Sequence, residues 1–379
     1  MSSSTTLKVP LTEVKSITKD FTEANLIGKG LLGKIYEGQL SLSGKSIDVA
    51  VRRLDHSFWL QDVAFDKEIT MLSGLKHDNL VSLVGICEEN GEMIIINKRE
   101  TRGSLSRHLS GLTLNWIKRL QISVGVASAL SYLHDNTTRG YSVLHHNVNT
   151  TSILLDEKWE AKLSGFEYSM TIPIEHLDLA YEKLGIGTYK SDVFSFGIVL
   201  FEILCGTKAF ISTENNKFQA SLAMFHFEGR KLHELVDPDL FKQMDPQSFN
   251  IFSETAYYCL KGRQAPINMN QVLTRLKRAL KLQEQYDNDE HSTVVRKGPS
   301  SNNLKLKAKN IVSYITPQSF TGKHHHHENH NIRNGKVERG MPGNLGNLAD
   351  FKILSKSRPI SPRISAPRFG ADILKRDYF

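Results

Sequence analysis

Gly28-Lys29-Gly30-Leu31-Leu32-Gly33-Lys34-Ile35 is the stretch on which the fold turns. It lies between two apolar strand-like segments. Three glycines at that spacing let a backbone come close to phosphates, and they equally suit a plain glycine-rich hairpin. The residues that follow favour the first reading. Val49-Ala50-Val51-Arg52 comes next, then Glu68, and much later His145-His146-Asn147 and Ser191-Asp192-Val193-Phe194-Ser195-Phe196-Gly197.

Working outward, Ile35–Leu40 and Ile47–Val51 flank a Ser43-Gly44 turn and read as a hairpin. Val63, Phe65, Ile69 and Leu72 recur at helical spacing and predict a helix. Leu80–Cys87 and Met93–Ile96 are joined by Glu88-Glu89-Asn90-Gly91, a hairpin signal. From Leu114 the pattern turns helical, with Trp116, Leu120, Val124, Ala127, Leu130 and Leu133 in one apolar stripe. Two short β-like pieces, Ser152–Leu155 and Ala161–Leu163, precede a buried-looking helix at Val193–Leu204. A Lys/Arg-rich amphipathic helix, Met269–Gln283, closes the body. A small sheet-rich lobe followed by a larger helical one is an α+β pattern.

Composition bounds the rest. With 379 residues, 40% hydrophobic and 23% charged, the chain has the average of a soluble globular protein and room for two or three units. Its longest apolar run, Val193–Gly206, is broken by Ser195 and Glu202 and falls short of the ~20 residues a bilayer needs. The start, Met1-Ser2-Ser3-Ser4, shows neither the apolar core of a secretory signal nor the glycine of a myristoylation site. Cys87, Cys205 and Cys259, odd in number and widely spaced, read as buried thiols in a reducing compartment. A cytoplasmic location follows as the expectation.

Charge divides the chain. Residues 291–379 hold 16 Lys and Arg against 5 Asp and Glu, a net of +11, so the remainder of the +8 chain carries −3. The basic character belongs to the tail, and a nucleic-acid reading of the main body loses its support. That tail is rich in Asn, Ser, Gly and Pro and buries too little apolar surface to offset its ordering entropy. His324–His327 with His330 suit an adventitious metal contact rather than a built site. A solvated, disordered tail is the expectation; its basic residues could meet acidic lipid headgroups as a peripheral membrane contact, or nucleic acid without specificity, but no lipidation motif or aromatic interleaving supports either.

The ordered series from Gly28 to Gly197 resembles the eukaryotic protein kinase domain over about Phe21 to Gln283. Three phrases resemble plant receptor-like Ser/Thr kinases of the FERONIA-like (malectin-receptor) branch: His77–Gly85, Val148–Asp156 and Ser191–Gly206. The resemblance implies a bilobal fold with an N-lobe at 21–100 and a C-lobe at 101–285. It leaves 1–20 as an N-terminal extension and 286–379 as the basic, His-containing tail, with only the kinase domain present and no membrane-spanning segment. It also implies a nucleotide cradle of Ile27, Gly28, Gly30, Gly33, Ile35, Ala50, Arg52, Glu68 and Leu154, and a spine of Leu72, His145 and Phe166 anchored by Asp192.

The departures from the family pattern are chemical. Arg52 replaces the lysine that holds the α/β-phosphates and pairs with the helix glutamate, here Glu68; the exchange keeps charge but changes shape. Asn147 stands where the family places the catalytic aspartate, and an amide is no base; such a loss costs about 10²–10⁴-fold in rate. His146 is an implausible substitute. Ser152 and Gly165 stand at the two magnesium-ligand positions, the latter within Gly165-Phe166-Glu167. Glu167 offers a displaced cation ligand or, more simply, a solvated side chain. The segment Tyr168–Tyr181 is short, and an ion pair of the family is missing at both ends, at Ala180 and Ala265. Asn97 replaces the usual apolar or aromatic residue at the rear of the adenine pocket.

The expectation is a pseudokinase, with no intact catalytic residue and no metal site. Its ligand would be ATP held weakly and without Mg²⁺, and its partner another kinase or receptor-like kinase, met in the cytoplasm or at the inner face of the plasma membrane. The alternatives are an atypical active Ser/Thr kinase using Arg52 and Glu167, and a degenerate family copy without a role.

Overall fold

A computed structural model describes residues 7–30, 32–55, 61–135, 137, 139–173, 189–206, 217–261 and 267–296. The tail from 297, the end of the segment after Tyr168 (174–188), and Ala265 with Pro266 lie outside the described residues.

The N-lobe is a five-stranded antiparallel sheet in the order β1-β2-β3-β5-β4. Its strands are β1 (Leu26–Gly30), β2 (Gly33–Leu42), β3 (Lys45–Leu54), β4 (Leu83–Glu89) and β5 (Glu92–Lys98). Both expected hairpins form, and for the expected reason. Ser43 and Gly44 (φ 51° and 78°) and Asn90 and Gly91 (φ 53° and 80°) take the left-handed conformation at both turn residues, matching the twist of the flanking strands.

The sheet is covered on both faces, which is why Ile94, Ile95 and Ile96 are all buried. On one side Ile95 meets Leu54, Ile86 and Phe65 of helix α2 (Gln61–Gly74). Val63 departs from the expected stripe and is 50% exposed. Two residues from Phe65 at 100° per residue, it points to the opposite side of the helix.

On the other face the sheet packs on residues ahead of Phe21. Val9 and, in helix α1 (Leu11–Ile17), Leu11 and Val14 join Tyr36, Leu40, Val49, Val51 and Ile96 in one core. The segment is also stitched to the outer strand: Ile86 N–H donates to Leu7 O and Val9 N–H to Ile86 O, each at 2.8 Å. Gly85 makes room, since a Cβ there would stand 2.9 Å from Leu7 O and from Val9 Cγ2. Phe21 therefore bounds the sequence pattern, while the folded lobe already includes Leu7–Ile17.

The C-lobe is built around α3 (Trp116–His134), capped by Asn115, whose side chain accepts from Lys118 N–H at 3.1 Å. It packs with α4 (Tyr189–Cys205), α5 (Lys217–Glu228), the short α6 (Pro238–Phe241), α7 (Pro246–Lys261) and α8 (Met269–Arg296) around one large apolar core. Buried Arg119 donates to the carbonyls of Leu109 (3.0 Å), Gly111 (3.0 Å), Leu114 (2.9 Å) and Ile203 (2.6 Å), tying α3 to the end of α4. Burial pushes its pKa down to about 10. Helix α8 runs beyond Gln283, whose buried amide bonds Gln243 O, Asp245 N–H and Asp287. All three cysteines are buried. Among the described residues no helix is long and apolar enough to cross a membrane.

Short strands carry the loops of the site: β6 (Gly103–Ser104), β8 (Ile153–Leu155) and β9 (Ala161–Leu163) in one sheet, β7 (Tyr141–Leu144) and β10 (Met170–Pro173) in another. Leu163 N–H bonds Asn79 O at 2.8 Å and Val81 N–H bonds Leu163 O at 3.1 Å, joining the chain before β4 to the C-lobe.

Because Val14 is fully buried under the sheet, truncating it removes part of the N-lobe core. Val14→Ala is expected to lower the unfolding free energy by about 2 kcal/mol. Chemical denaturation checks this; an unchanged midpoint would mean that the segment detaches before the lobe unfolds.

Candidate functional site

The site lies between β3, α2 and the loops flanking β8 and β9. Val49 and Val51 face the core under α1, so the alternate residues Ala50 and Arg52 face the other way. Ile35 is opposite Arg52, and Glu37 opposite Ala50, in the β2–β3 register, so Ile35 shares that face. Leu154 lies between the buried Ile153 and Leu155 and is half-buried on the reverse face of β8. Asn97 is paired with Ala50 on β5, and its buried Oδ1 has no hydrogen-bond partner.

The glycines divide by role. Gly28 and Gly30 pair with Ile35 and Gly33 at the β1–β2 turn, where a Cβ would meet only ordinary contacts. Gly33 answers to the sheet: at φ 144° a Cβ would stand 2.1 Å from Arg53 O. Its glycine is demanded by the approach to β3, whatever binds nearby. Across the mouth, Arg107 Nη2 donates to Ile27 O at 3.5 Å.

Arg52 and Glu68 form the expected ion pair, Nη2 to Oε2, with Glu68 only 2% exposed. A second carboxylate also faces Arg52. Glu167 Oε2 lies 3.8 Å from Arg52 Nη1, and the Glu167 side chain is only 10% exposed, so it is not the solvated group expected from sequence. Burial pushes the guanidinium below its ordinary pKa, opposed by the charges of Glu167 and Tyr168.

The loop opposite is organised by amides. Asn147 Nδ2 donates to Glu167 Oε1 at 3.3 Å, while its Oδ1 accepts from Asn149 Nδ2 at 2.8 Å. Asn149 Oδ1 in turn accepts from the N–H groups of Thr151 and Ser152 at 2.8 and 3.0 Å. Ser152 Oγ lies 2.7 Å from Asn147 O and 3.0 Å from Asn149 O and accepts from Asn149 N–H at 3.1 Å. Gly165 is left-handed (φ 87°, ψ 50°), and a Cβ there would stand 2.8 Å from Asn147 Nδ2. These residues do not suit a magnesium ion: the Ser152 hydroxyl is committed to the loop backbone, and the Asn147 amide fills the space beside Gly165. Among the described residues no group of three or more His, Cys, Asp or Glu is assembled for a metal.

Beneath this loop lies Asp192, at the start of α4 and 1% exposed. Its Oδ2 accepts from His145 N–H at 2.7 Å and bonds His134 Nε2 at 3.0 Å; its Oδ1 accepts from His146 N–H at 2.8 Å. His146 is held at φ 62°, in the left-handed region that few non-glycine residues adopt. The buried His145 ring stacks edge-on against Phe166, with centroids 4.8 Å apart, and Leu72 belongs to the same core as Phe166. Burial pushes the His145 pKa down, opposed by Asp192; Nε2 lies 3.0 Å from Ser164 O and Nδ1 accepts from Asn147 N–H at 3.2 Å. Both ring nitrogens are occupied.

The sequence motifs point to Arg52, Glu68, Asn147, Ser152, Gly165 and Asp192, and the fold gathers them. They do not point to Asn149 as the loop organiser or to His134 as a partner of Asp192. An Asx-turn reading of Asn149-Thr150-Thr151 would have found the first; nothing local signals the second.

For Asp192, burial favours the neutral acid, but the hydrogen bond and charge of His134 together with His145 outweigh it and lower the pKa. A lowered acid pKa adds stability that is complete above the ordinary aspartate value of about 4 and is lost as the pH falls through the folded value. Asp192→Asn is expected to cost at least about 3 kcal/mol at pH 7, with the gap to wild type narrowing below about pH 4. Denaturant titrations at several pH values check this; a gap that stays constant to pH 3 would contradict it.

Comparison with known proteins agrees with this architecture. A family profile described as "Protein tyrosine and serine/threonine kinase" matches residues 21–234. The receptor-like protein kinase ANXUR2 of Arabidopsis thaliana is 38% identical over 312 residues, covering 76% of this chain and 36% of that protein. FERONIA of the same organism is 40% identical over 294 residues, 72% of this chain and 32% of its own length. HERK 1, also from Arabidopsis thaliana, is 33% identical over 368 residues, 91% and 41%. The chain thus spans between about a third and two fifths of the length of these relatives. It belongs to the protein tyrosine and serine/threonine kinase family, with FERONIA- and ANXUR-type receptor-like kinases among its relatives.

Proposed function

We propose that this chain is a catalytically impaired member of its family, a pseudokinase that serves as a binding or allosteric module. The observation that carries the reading is the Asn147 amide, which stands at the position of the general base and bonds Glu167 beside a side-chain-less Gly165. An amide accepts no proton from a substrate hydroxyl, and phosphoryl transfer leans on metal-borne charge neutralisation that Ser152 and Gly165 do not supply. The spine contacts and the Asp192 anchor support a lobe arrangement kept for packing and for recognition.

The partner in this reading is another kinase or receptor-like kinase, since such kinases are this chain's relatives. The module would act by binding one conformational state of that partner more tightly than the other. The cytoplasm, with peripheral contact at the inner face of the plasma membrane, is the location that suits it. ATP is a weak ligand of the cleft here and not a substrate.

A transfer assay with labelled ATP, Mg²⁺ or Mn²⁺, and a generic Ser/Thr substrate tests the reading on the full chain. Incorporation is expected to stay at background and to be unchanged in Glu167→Ala. Incorporation well above background that Glu167→Ala abolishes would overturn it and establish an atypical active kinase using the displaced carboxylate.

A further inference from the structure

The position of Glu167 has a consequence for what can enter the cleft. Arg52 is the cation of the phosphate end of the nucleotide cradle, and both of its terminal nitrogens already face carboxylates: Nη2 the Glu68 side chain, Nη1 the Glu167 side chain. Two buried carboxylates against one guanidinium leave this group with a net charge of −1. A nucleotide's phosphate chain brings further negative charge to the same guanidinium, and in a water-poor site that repulsion is strong.

The two carboxylates are not equally fixed. Glu68 is on the inner face of α2, 2% exposed. Glu167 sits in the single 3-10 turn Phe166–Tyr168, held by a 3.3 Å bond from Asn147 and a 3.8 Å contact to Arg52. Glu167 Oε2 is buried without a hydrogen bond. Gly165 makes this possible, because a side chain there would collide with the Asn147 amide that steers Glu167.

We infer that Glu167 is the selectivity element of a metal-free nucleotide site on Arg52: its carboxylate takes the place of a phosphate, and ATP binds only by displacing it. This rests on the pseudokinase reading above. The displacement breaks no covalent bond; Glu167 swings toward solvent and the phosphate oxygens take over the fork of Arg52, geometry for which a guanidinium is suited. Adenosine, lacking the phosphate chain, has no reason to compete with Glu167.

Calorimetric titration of the full chain with ATP in excess EDTA tests this. Glu167→Gln removes a charge and keeps the shape, and it is expected to bind ATP at least about tenfold more tightly than wild type. Asn147→Ala, which frees Glu167 from its amide, is expected to shift affinity in the same direction by less. The gain should vanish when Glu167→Gln is combined with Arg52→Met, and adenosine affinity should be the same in wild type and Glu167→Gln. The inference is overturned if Glu167→Gln binds ATP no more tightly, if the gain survives Arg52→Met, or if adenosine gains equally. It is likewise overturned if Mg²⁺ tightens wild-type binding and Glu167→Gln removes that effect, since the carboxylate would then serve a cation. Each outcome is read from affinity without transfer, so it stands apart from the assay that tests catalysis.

Discussion

Asp192 accepts the N–H groups of His145 and His146 with its two oxygens and takes His134 as a third partner, all beneath the floor of the cleft. The arrangement sets where residues 145–147 run, because two successive backbone donors cannot both reach one carboxylate unless the chain turns sharply there. The turn appears as the positive φ of His146. From that fixed point Asn147 reaches Glu167, and Glu167 reaches Arg52 on the other lobe. A carboxylate buried this deeply is tolerated only when its acceptors are filled. Filling them is what makes the loop conformation unique.

The side chains above this anchor fit one another as a set. Asn147 and Gly165 fit each other: the glycine leaves the volume that the amide occupies, and the amide in turn orients Glu167. Ser152 ties its hydroxyl back to the Asn147 and Asn149 carbonyls. Considered together they leave few stranded donors and acceptors in the loop, which agrees with a fold that is still under a packing requirement.

The N-lobe illustrates a separate constraint. A five-stranded sheet with Ile94, Ile95 and Ile96 all buried needs cover on both faces, and α2 supplies only one. Leu7–Ile17 supplies the other and also meets the outer strand β4, whose backbone groups near Ile86 would otherwise be an open edge. This segment lies before the stretch matched by the family profile, so a boundary drawn by motif alone separates a piece of the core from the lobe it completes.

Sequence by itself determined the two N-lobe hairpins, the main apolar helical stripes and the residue types of the site, but not α1, α5 or α7. Turn pairs such as Asn90-Gly91 dictate hairpins through φ, a local property, and the stripe from Trp116 to Leu133 dictates a helix through its period. The order of motifs brought Arg52, Glu68, Asn147, Ser152, Gly165 and Asp192 into one expected site. Tertiary structure alone decided what those residues do to one another. Glu167 follows Gly165 by two positions, and nothing in that local stretch says that its carboxylate turns inward to a guanidinium more than a hundred residues earlier in the chain. Nor does the sequence show that Gly33 is required by Arg53 O, or that α8 continues because Gln283 is bonded to Gln243 and Asp245. Periodicity and turn chemistry act over a few residues and can be read along the chain. The charge balance of a buried site is a sum over groups that only packing brings within a few ångströms, and so it becomes visible only in the folded protein.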